Sequence, residues 1–196
     1  LASSGLLVPK IGGPSVKPYQ PDGVWEAVAM IGSNTRDYRR DQGENLYRRS
    51  LYTFWKRAAP PASMEILNAP NRETCVVRRE RTNTPMQALV TLNDPQFVEA
   101  ARHLAQRAVL TCSDDAARLD FLARRLLSRP FQPRELEIAQ QSLGELAAYY
   151  QNHADDAREL IAVGESKPDP AAPPEVLAAW TMIANELMNL DEVLNK

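Results

Sequence analysis

Hydrophobic residues recur at helical spacing through the second half of the chain. Between residues 95 and 110 they step by four, three and four positions, at Phe97, Ala101, Leu104 and Ala108. A second stripe follows Pro133, at Leu136, Ala139, Leu143, Leu146 and Tyr150. Steps of three and four place side chains on one face of a helix. The pattern therefore predicts two long helices, each with one buried face.

Further helices are expected on either side of these two. They cover residues 85–92, residues 114 or 115 to about 128, residues 155–163, and a last stretch that begins near Pro174. Proline fits the first turn of a helix, where no amide hydrogen is needed. Gly164 can end the helix before it, because glycine adopts the left-handed conformation freely. From Thr84 onward the sequence thus predicts a series of helices.

Two helix-start signals stand close together in residues 71–95. Thr84, followed by Pro85 and Gln87, has the pattern of a capping box, in which the Thr hydroxyl and the Gln side chain each satisfy a free backbone amide. Asp94 before Pro95 repeats the signal. One helix should therefore end, and another begin, within a few residues.

The first third of the chain is less regular. Residues 1–21 are rich in Gly and Pro but also apolar, which favours an extended segment lying on the domain surface. Asp22 can cap a short helix over residues 23–30. Residues 51–55 are aromatic and partly β-branched, which indicates a strand paired with residues 36–39 across a turn at 41–44, although Tyr47, Leu51, Phe54 and Trp55 also fit helical spacing. Residues 62–72 are expected to form an irregular connection.

Together these patterns predict a mainly α fold, a helical bundle-like domain with a short β-hairpin and an irregular extended N-terminal segment. Residues 1–21 would form the extended segment, residues 22–83 the short helix, hairpin and arginine-rich segment, and residues 84–196 the helical core. The chain begins without methionine, so we expect one domain taken from a longer protein.

Charge divides the chain. Its 196 residues carry a net charge of −2, yet residues 1–81 hold 13 Lys+Arg against 8 Asp+Glu, and the remainder holds 10 against 17. We favour mutual attraction of the two halves within one fold over a basic face for an acidic partner. The acidic second half argues against a nucleic-acid partner. No stretch reaches the ~20 apolar residues of a membrane span.

Several long motifs resemble a known family. They are KIGGPSVKPYQPDGVWE (residues 10–26), RRSLYTFWKR (48–57), ETCVVRRERTNTPMQALVTLNDPQFVEAAR (73–102), LLSRPFQPRELE (126–137) and AAWTMIANELMNLDE (178–192). These runs closely resemble domain of unknown function 1553, a planctomycete-type domain found toward the C-terminus of large proteins. The resemblance covers nearly the whole chain.

The resemblance implies which domains accompany this one but gives it no biochemical activity. The family has no established activity, cofactor or catalytic residue that could be transferred to this chain. Its members usually follow a second domain of unknown function, often with an N-terminal cytochrome c-like domain and sometimes with lectin-like insertions. These accompanying domains imply an exported protein of the periplasm or cell surface, which handles polysaccharide or moves electrons. Any haem would belong to another domain.

The arginine-rich segment is the candidate binding site. Arg78, Arg79 and Arg81 precede Thr84, where free amides and the helix dipole favour an anion, such as the carboxylate or sulfate of an acidic sugar. The alternative, which we favour, is that these arginines bind Glu73, Glu80, Asp94 or backbone carbonyls and fasten the segment to the helices.

The other candidate residues form no pattern that is typical of a catalytic or metal-binding site. The aromatic residues 47–55 among basic ones are typical of a stacking platform, but more often of a strand with one buried face. His103 and His153 lack acidic or cysteine partners at ligand spacing. Cys75 and Cys112 could pair, but two buried thiols is the simpler interpretation. We therefore expect no cofactor and no metal.

The sequence favours a non-catalytic scaffold or interaction module that packs against the other domains of a larger exported protein. The alternative is an accessory part of an enzyme or glycan-binding protein, which would use Arg78, Arg79, Arg81 and Thr84 to bind an acidic or sulfated ligand such as a polysaccharide. A nucleic-acid binder is the weakest of the three interpretations.

Overall fold

The computed structural model describes residues 1–195 and divides into two units. The larger unit comprises residues 1–6 and 91–196, and the smaller unit residues 7–90. The fold is mainly helical, which confirms the predicted class. The helices are α1 (Val24–Val28), α2 (Ala62–Ile66), α3 (Pro85–Asn93), α4 (Pro95–Thr111), α5 (Asp115–Leu126), α6 (Pro133–Asn152), α7 (Ala154–Ala162), α8 (Pro174–Met188) and α9 (Asp191–Leu194).

Helix α8 is the centre of the larger unit. It packs against α4, α6 and α7, and ten of its 15 residues are buried. A helix that is apolar on most sides must lie inside its unit, because each side needs an apolar neighbour. The stripes predicted for α4 and α6 supply those neighbours, with Ala101, Leu104 and Ala108 from α4 and Ala139, Leu143 and Tyr150 from α6 in the buried cluster.

The helix boundaries of the larger unit follow the sequence signals. The Asp94 carboxylate accepts a hydrogen bond from the Gln96 amide, and Asp114 caps α5 by accepting one from Ala117. Gly164, after α7, has a φ of 92°, as its predicted role requires. Helix α9 was not predicted, since its four residues are too few for a hydrophobic stripe.

Short elements of the smaller unit are joined by single backbone contacts. Two 3-10 helices, Gly43–Tyr47 and Ser50–Tyr52, stand where the hairpin was expected. The extended N-terminal segment runs past them and forms isolated parallel bridges, Val8 with Arg48 and Val16 with Thr53.

The predicted β-hairpin is not confirmed. Phe54 does not pair with residues 36–39; its amide donates to the Val16 carbonyl at 2.8 Å, and the amide of Asp41 donates to the Lys17 carbonyl at 2.9 Å. The N-terminal segment thus occupies the place of the partner strand. Its prolines have no amide hydrogen, so the contacts stay as single bridges and do not extend into a ladder.

Two short helices of this unit also differ from expectation. Helix α1 is five residues long, and its N-cap is Gly23 with no side-chain hydrogen bond, so Asp22 is not its cap. Helix α2 occupies part of the stretch expected to be irregular. Among residues 1–195, no helix combines the length and the apolar character that crossing a membrane requires.

Candidate functional site

The arginine-rich segment lies on the surface of the smaller unit. Residues 70–81, here called the basic strip, are all exposed and belong to no helix or strand. Val77 is fully exposed, and Val76 is about half exposed at 48%. Arg78, Arg79 and Arg81 extend from the same stretch, so aliphatic and cationic side chains lie next to each other in solvent.

The predicted capping box at Thr84 is confirmed and has a second role. The Thr84 hydroxyl accepts from the Gln87 amide at 3.3 Å, and the Thr84 amide donates to the Gln87 side chain at 3.0 Å. The buried Gln87 amide group also donates to the Ile66 carbonyl at 2.9 Å and to the Thr82 hydroxyl at 2.7 Å. The cap thereby joins Thr82, the residue directly after the basic strip, to Ile66, the last residue of α2.

Fastening by Arg78, Arg79 and Arg81, the interpretation favoured from the sequence, was wrong. Within residues 1–195 none of the three forms an ion pair or a side-chain hydrogen bond, and Glu73 instead pairs with Arg57 at 2.9 Å. Asp94 is engaged with the first turn of α4, where burial raises the pKa of its carboxyl. The three guanidinium groups therefore remain in solvent.

Two other arginines do fasten segments. Arg48 is buried, and its Nη2 donates to the carbonyls of Lys10 at 3.1 Å and Gly12 at 2.7 Å. Its guanidinium also lies 4.2 Å from the centre of the Tyr52 ring, whose hydroxyl accepts from the Gly12 amide at 2.9 Å. Nothing in the sequence distinguishes Arg48 from the neighbouring, exposed Arg49, so this role was not predicted.

The second fastening arginine lies in α4. Arg102 Nη2 donates to the carbonyl oxygen and the hydroxyl of Ser166, at 2.7 and 2.6 Å. Ser166 in turn donates to the carboxylate of Glu99, and the side chains of Glu99 and Arg102 are fully buried. Glu99 and Arg102 are one turn apart in sequence, but Ser166 carries no signal that would join it to them.

Phe54, one of the aromatic residues of the suggested stacking platform, belongs to a packed cluster with Trp25 and Tyr38. Trp25 is buried, with Tyr38 at 4.8 Å edge-on and Phe54 at 5.4 Å between ring centres. Lys17 and Lys56 lie over these rings, Lys56 4.9 Å from the centre of Trp25. The aliphatic parts of both lysines cover the cluster while their ammonium groups interact with the ring faces.

The histidines and cysteines stay apart. The Nδ1 of His103 lies 2.8 Å from the Ser4 carbonyl, and His153 stacks on Tyr149 at 4.1 Å. Both cysteines are free thiols; Cys75 is exposed and Cys112 is half-buried, so the prediction of two buried thiols was wrong. In the described part of the chain, no three His, Cys, Asp or Glu side chains come together as a set that could hold a metal ion.

Comparison with known proteins gives one match. The family model PSD1, described as a protein of unknown function (DUF1553), matches residues 1–143, well over half of the chain. No curated protein and no solved structure matches the chain.

Proposed function

Since the chain belongs to the DUF1553 family of proteins of unknown function, we propose that it is a non-catalytic scaffold or interaction module of a larger, exported multidomain protein. Its partners are then the other domains of that protein. The module would present one surface for docking, while its own segments are held together by internal hydrogen bonds.

One observation carries the proposal: exposed aliphatic side chains concentrate in the smaller unit. Five of them are at least 74% exposed, namely Ile11, Met30, Ile31, Leu51 and Val77. In the larger unit the most exposed large aliphatic side chain is Ile138, at 55%. Burying such side chains against a partner is favourable by about 25 cal/mol per Å² of apolar surface, so we place the docking surface on the smaller unit.

The use of the buried polar side chains supports the same proposal. Arg48 and Gln87 each bond backbone carbonyls of distant segments, and the Asn185 amide donates to the Leu92 carbonyl at 3.0 Å. The Thr91 hydroxyl donates to the Asn189 side chain at 2.6 Å. Groups engaged in this way hold segments in place, which is the work of a rigid support for a docking surface.

Hydrogen exchange tests the proposal directly. Backbone amides of residues 30–31 and 71–81 should exchange rapidly in the isolated chain and more slowly in a longer protein that contains it, because docking excludes water. The amides of α8, buried in either form, serve as the internal control. Equal exchange of both stretches in the two forms would contradict the docking proposal.

The second candidate function is binding of an acidic or sulfated ligand by Arg78, Arg79, Arg81 and Thr84. It is supported by the exposure of the three guanidinium groups and by the absence of ion pairs to them within residues 1–195. The Thr84 hydroxyl accepts from the Gln87 amide and would donate its O–H to the ligand, because an anionic group accepts hydrogen bonds. Under this proposal the domain is an accessory part of an enzyme or glycan-binding protein.

Binding of a sulfated polysaccharide tests this second candidate. Arg78→Ala and Arg81→Ala should each weaken binding and lower its salt dependence. Arg134→Ala is the matched control, because Arg134 is an exposed arginine that pairs with Glu137 on α6. If Arg134→Ala weakens binding to the same extent, the effect comes from the overall charge of the protein and not from a site at these arginines.

We also propose that the protein is located in the periplasm or at the cell surface, on the strength of the family resemblance. Cell fractionation of a producing organism, followed by detection of this domain, tests the location. Recovery of the domain with the cytosolic fraction would contradict it.

A further inference from the structure

An apolar groove of about 230 Å³ lies between α6 and α8 in the larger unit. Its apolar lining is formed by Leu127, Phe131, Ile138, Ile183, Leu187 and Leu190. Ile138 is 55% exposed and Leu190 is 42% exposed, so part of this lining is in contact with water. An engineered protein cavity of about 150 Å³ accepts benzene, so the groove has room for branched aliphatic side chains.

The charged side chains that line the groove are both acidic. Glu135 is occupied, since Arg129 binds both of its carboxylate oxygens at 2.7 and 2.8 Å. Glu186 accepts one hydrogen bond, from the Ser142 hydroxyl at 2.9 Å. Within residues 1–195 no lysine or arginine lies at ion-pair distance from Glu186. The edge of the groove at Glu186 therefore favours an aliphatic segment that carries a cation.

The basic strip has this complementary chemistry. Val76 and Val77 are followed directly by Arg78 and Arg79, all in solvent. Residues 77 and 78 form a bend in the single chain. In the complex the segment would bind in an extended conformation, which directs successive side chains to opposite sides and places Val77 and Arg79 on the same side. An aliphatic group and a guanidinium two residues apart match an apolar floor with a carboxylate at its edge.

We propose that the α6–α8 groove binds residues 76–79 of a second copy of this chain. Val77 fills the apolar floor, and an arginine of the strip pairs with Glu186. The inference rests on the proposed role as an interaction module and names one partner for it. Because groove and strip are different surfaces, the contact is heterologous: in a pair, one copy keeps an unused groove and the other copy keeps an unused strip.

Sedimentation of the whole chain at increasing concentration tests the proposal. We expect reversible self-association that weakens at high salt, as a small interface with an ion pair should. Val77→Asp, which damages the strip, and Ile138→Asp, which damages the groove, should each weaken association about tenfold or more, since each removes a central aliphatic contact. Val176→Asp, at a partly exposed position of α8 that does not line the groove, should leave association unchanged.

Mixing the two variants gives the sharper result. Val77→Asp keeps an intact groove and Ile138→Asp an intact strip. At a concentration where each variant alone is monomeric, an equimolar mixture should therefore form a one-to-one complex. A monomeric wild type, or a mixture that stays monomeric while the wild type associates, overturns the proposal. These results do not decide the scaffold proposal, which is tested separately by the protection of residues 71–81 from hydrogen exchange in a longer protein. Equal thermal melting of all variants shows that they are folded.

Discussion

The carboxylate of Glu99 accepts two hydrogen bonds from Ser166, one from its backbone N–H at 2.7 Å and one from its hydroxyl at 2.6 Å. Arg102, which lies three residues further along α4, donates to the carbonyl of the same serine. Glu99 and Arg102 have no exposed side-chain surface. Residues 163–173, between α7 and α8, are thus tied to α4 by a buried polar group.

Glu99→Ala should destabilise the protein by roughly 3–5 kcal/mol, because it leaves the Arg102 guanidinium buried without its carboxylate. Urea unfolding followed by circular dichroism measures the change. Glu137→Ala is the control, since Glu137 pairs with Arg134 at the surface and exposed pairs contribute little. A loss no larger than that of the control would show that the polar cluster does not stabilise the unit.

Two glycines of the larger unit should respond oppositely to alanine. Gly164 has a φ of 92°, and an added Cβ would lie 2.6 Å from the Glu99 Cγ, so Gly164→Ala should cost at least ~1–3 kcal/mol. Gly144 lies within α6 with open space around it, so Gly144→Ala should stabilise by about 0.5–1 kcal/mol. Thermal melting of both variants checks the signs. Destabilisation by Gly144→Ala would contradict the helix assignment at that position.

Helices α3 to α8 were predictable because their signals are local. Apolar stripes at helical spacing, Pro95 and Pro133 in first turns, and the caps at Thr84 and Asp94 all act within a few residues of each other. The structure places helices α3 to α8 close to the predicted bounds. Where sequence neighbours determine an element, the sequence alone is sufficient.

The smaller unit was less predictable because its contacts are distant in sequence. Phe54 bonds to Val16, 38 residues earlier, and Arg48 reaches the carbonyls of Lys10 and Gly12. The aromatic and partly β-branched residues 51–55 indicate a strand but do not identify its partner. The predicted ion pairs of the basic strip were wrong for the same reason. Only the structure shows that Glu73 forms an ion pair with Arg57.

Glu135 makes the free energy of unfolding depend on pH in the acidic range. Its hydrogen bonds with Arg129 and with the Gln132 amide lower the pKa of its carboxyl from 4.5 to about 2. A lowered pKa in the folded state adds stability above the unfolded value of 4.5, and this stability is lost as the pH falls from 4.5 toward 2. Arg129→Ala should therefore be less stable than wild type at neutral pH, with the difference shrinking across that window.

Denaturant unfolding of wild type and Arg129→Ala at a series of pH values measures this difference. Arg158→Ala, which removes an exposed arginine paired with Asp155, controls for the loss of one surface charge. A wild-type advantage over Arg129→Ala that stays constant down to pH 2, the lowered value of Glu135, would contradict the proposed linkage.

Arg48 should not be replaceable by lysine. Its guanidinium donates to two carbonyls through Nη2 and stacks on Tyr52, a combination that a single ammonium group cannot reproduce. Arg48→Lys should therefore destabilise the smaller unit by roughly 1–3 kcal/mol. The amides of Val8 and Val16, which donate to the carbonyls of Tyr47 and Tyr52, should then exchange faster with solvent.

Arg49→Lys is the matched control for this prediction, because Arg49 is the next residue and is exposed. It should leave the exchange of both valine amides unchanged. Equal protection of the Val8 and Val16 amides in the Arg48 and Arg49 variants would mean that the N-terminal segment is held by its backbone bridges alone. Faster exchange in the Arg48 variant only would identify the guanidinium as the group that holds residues 8–16 in place.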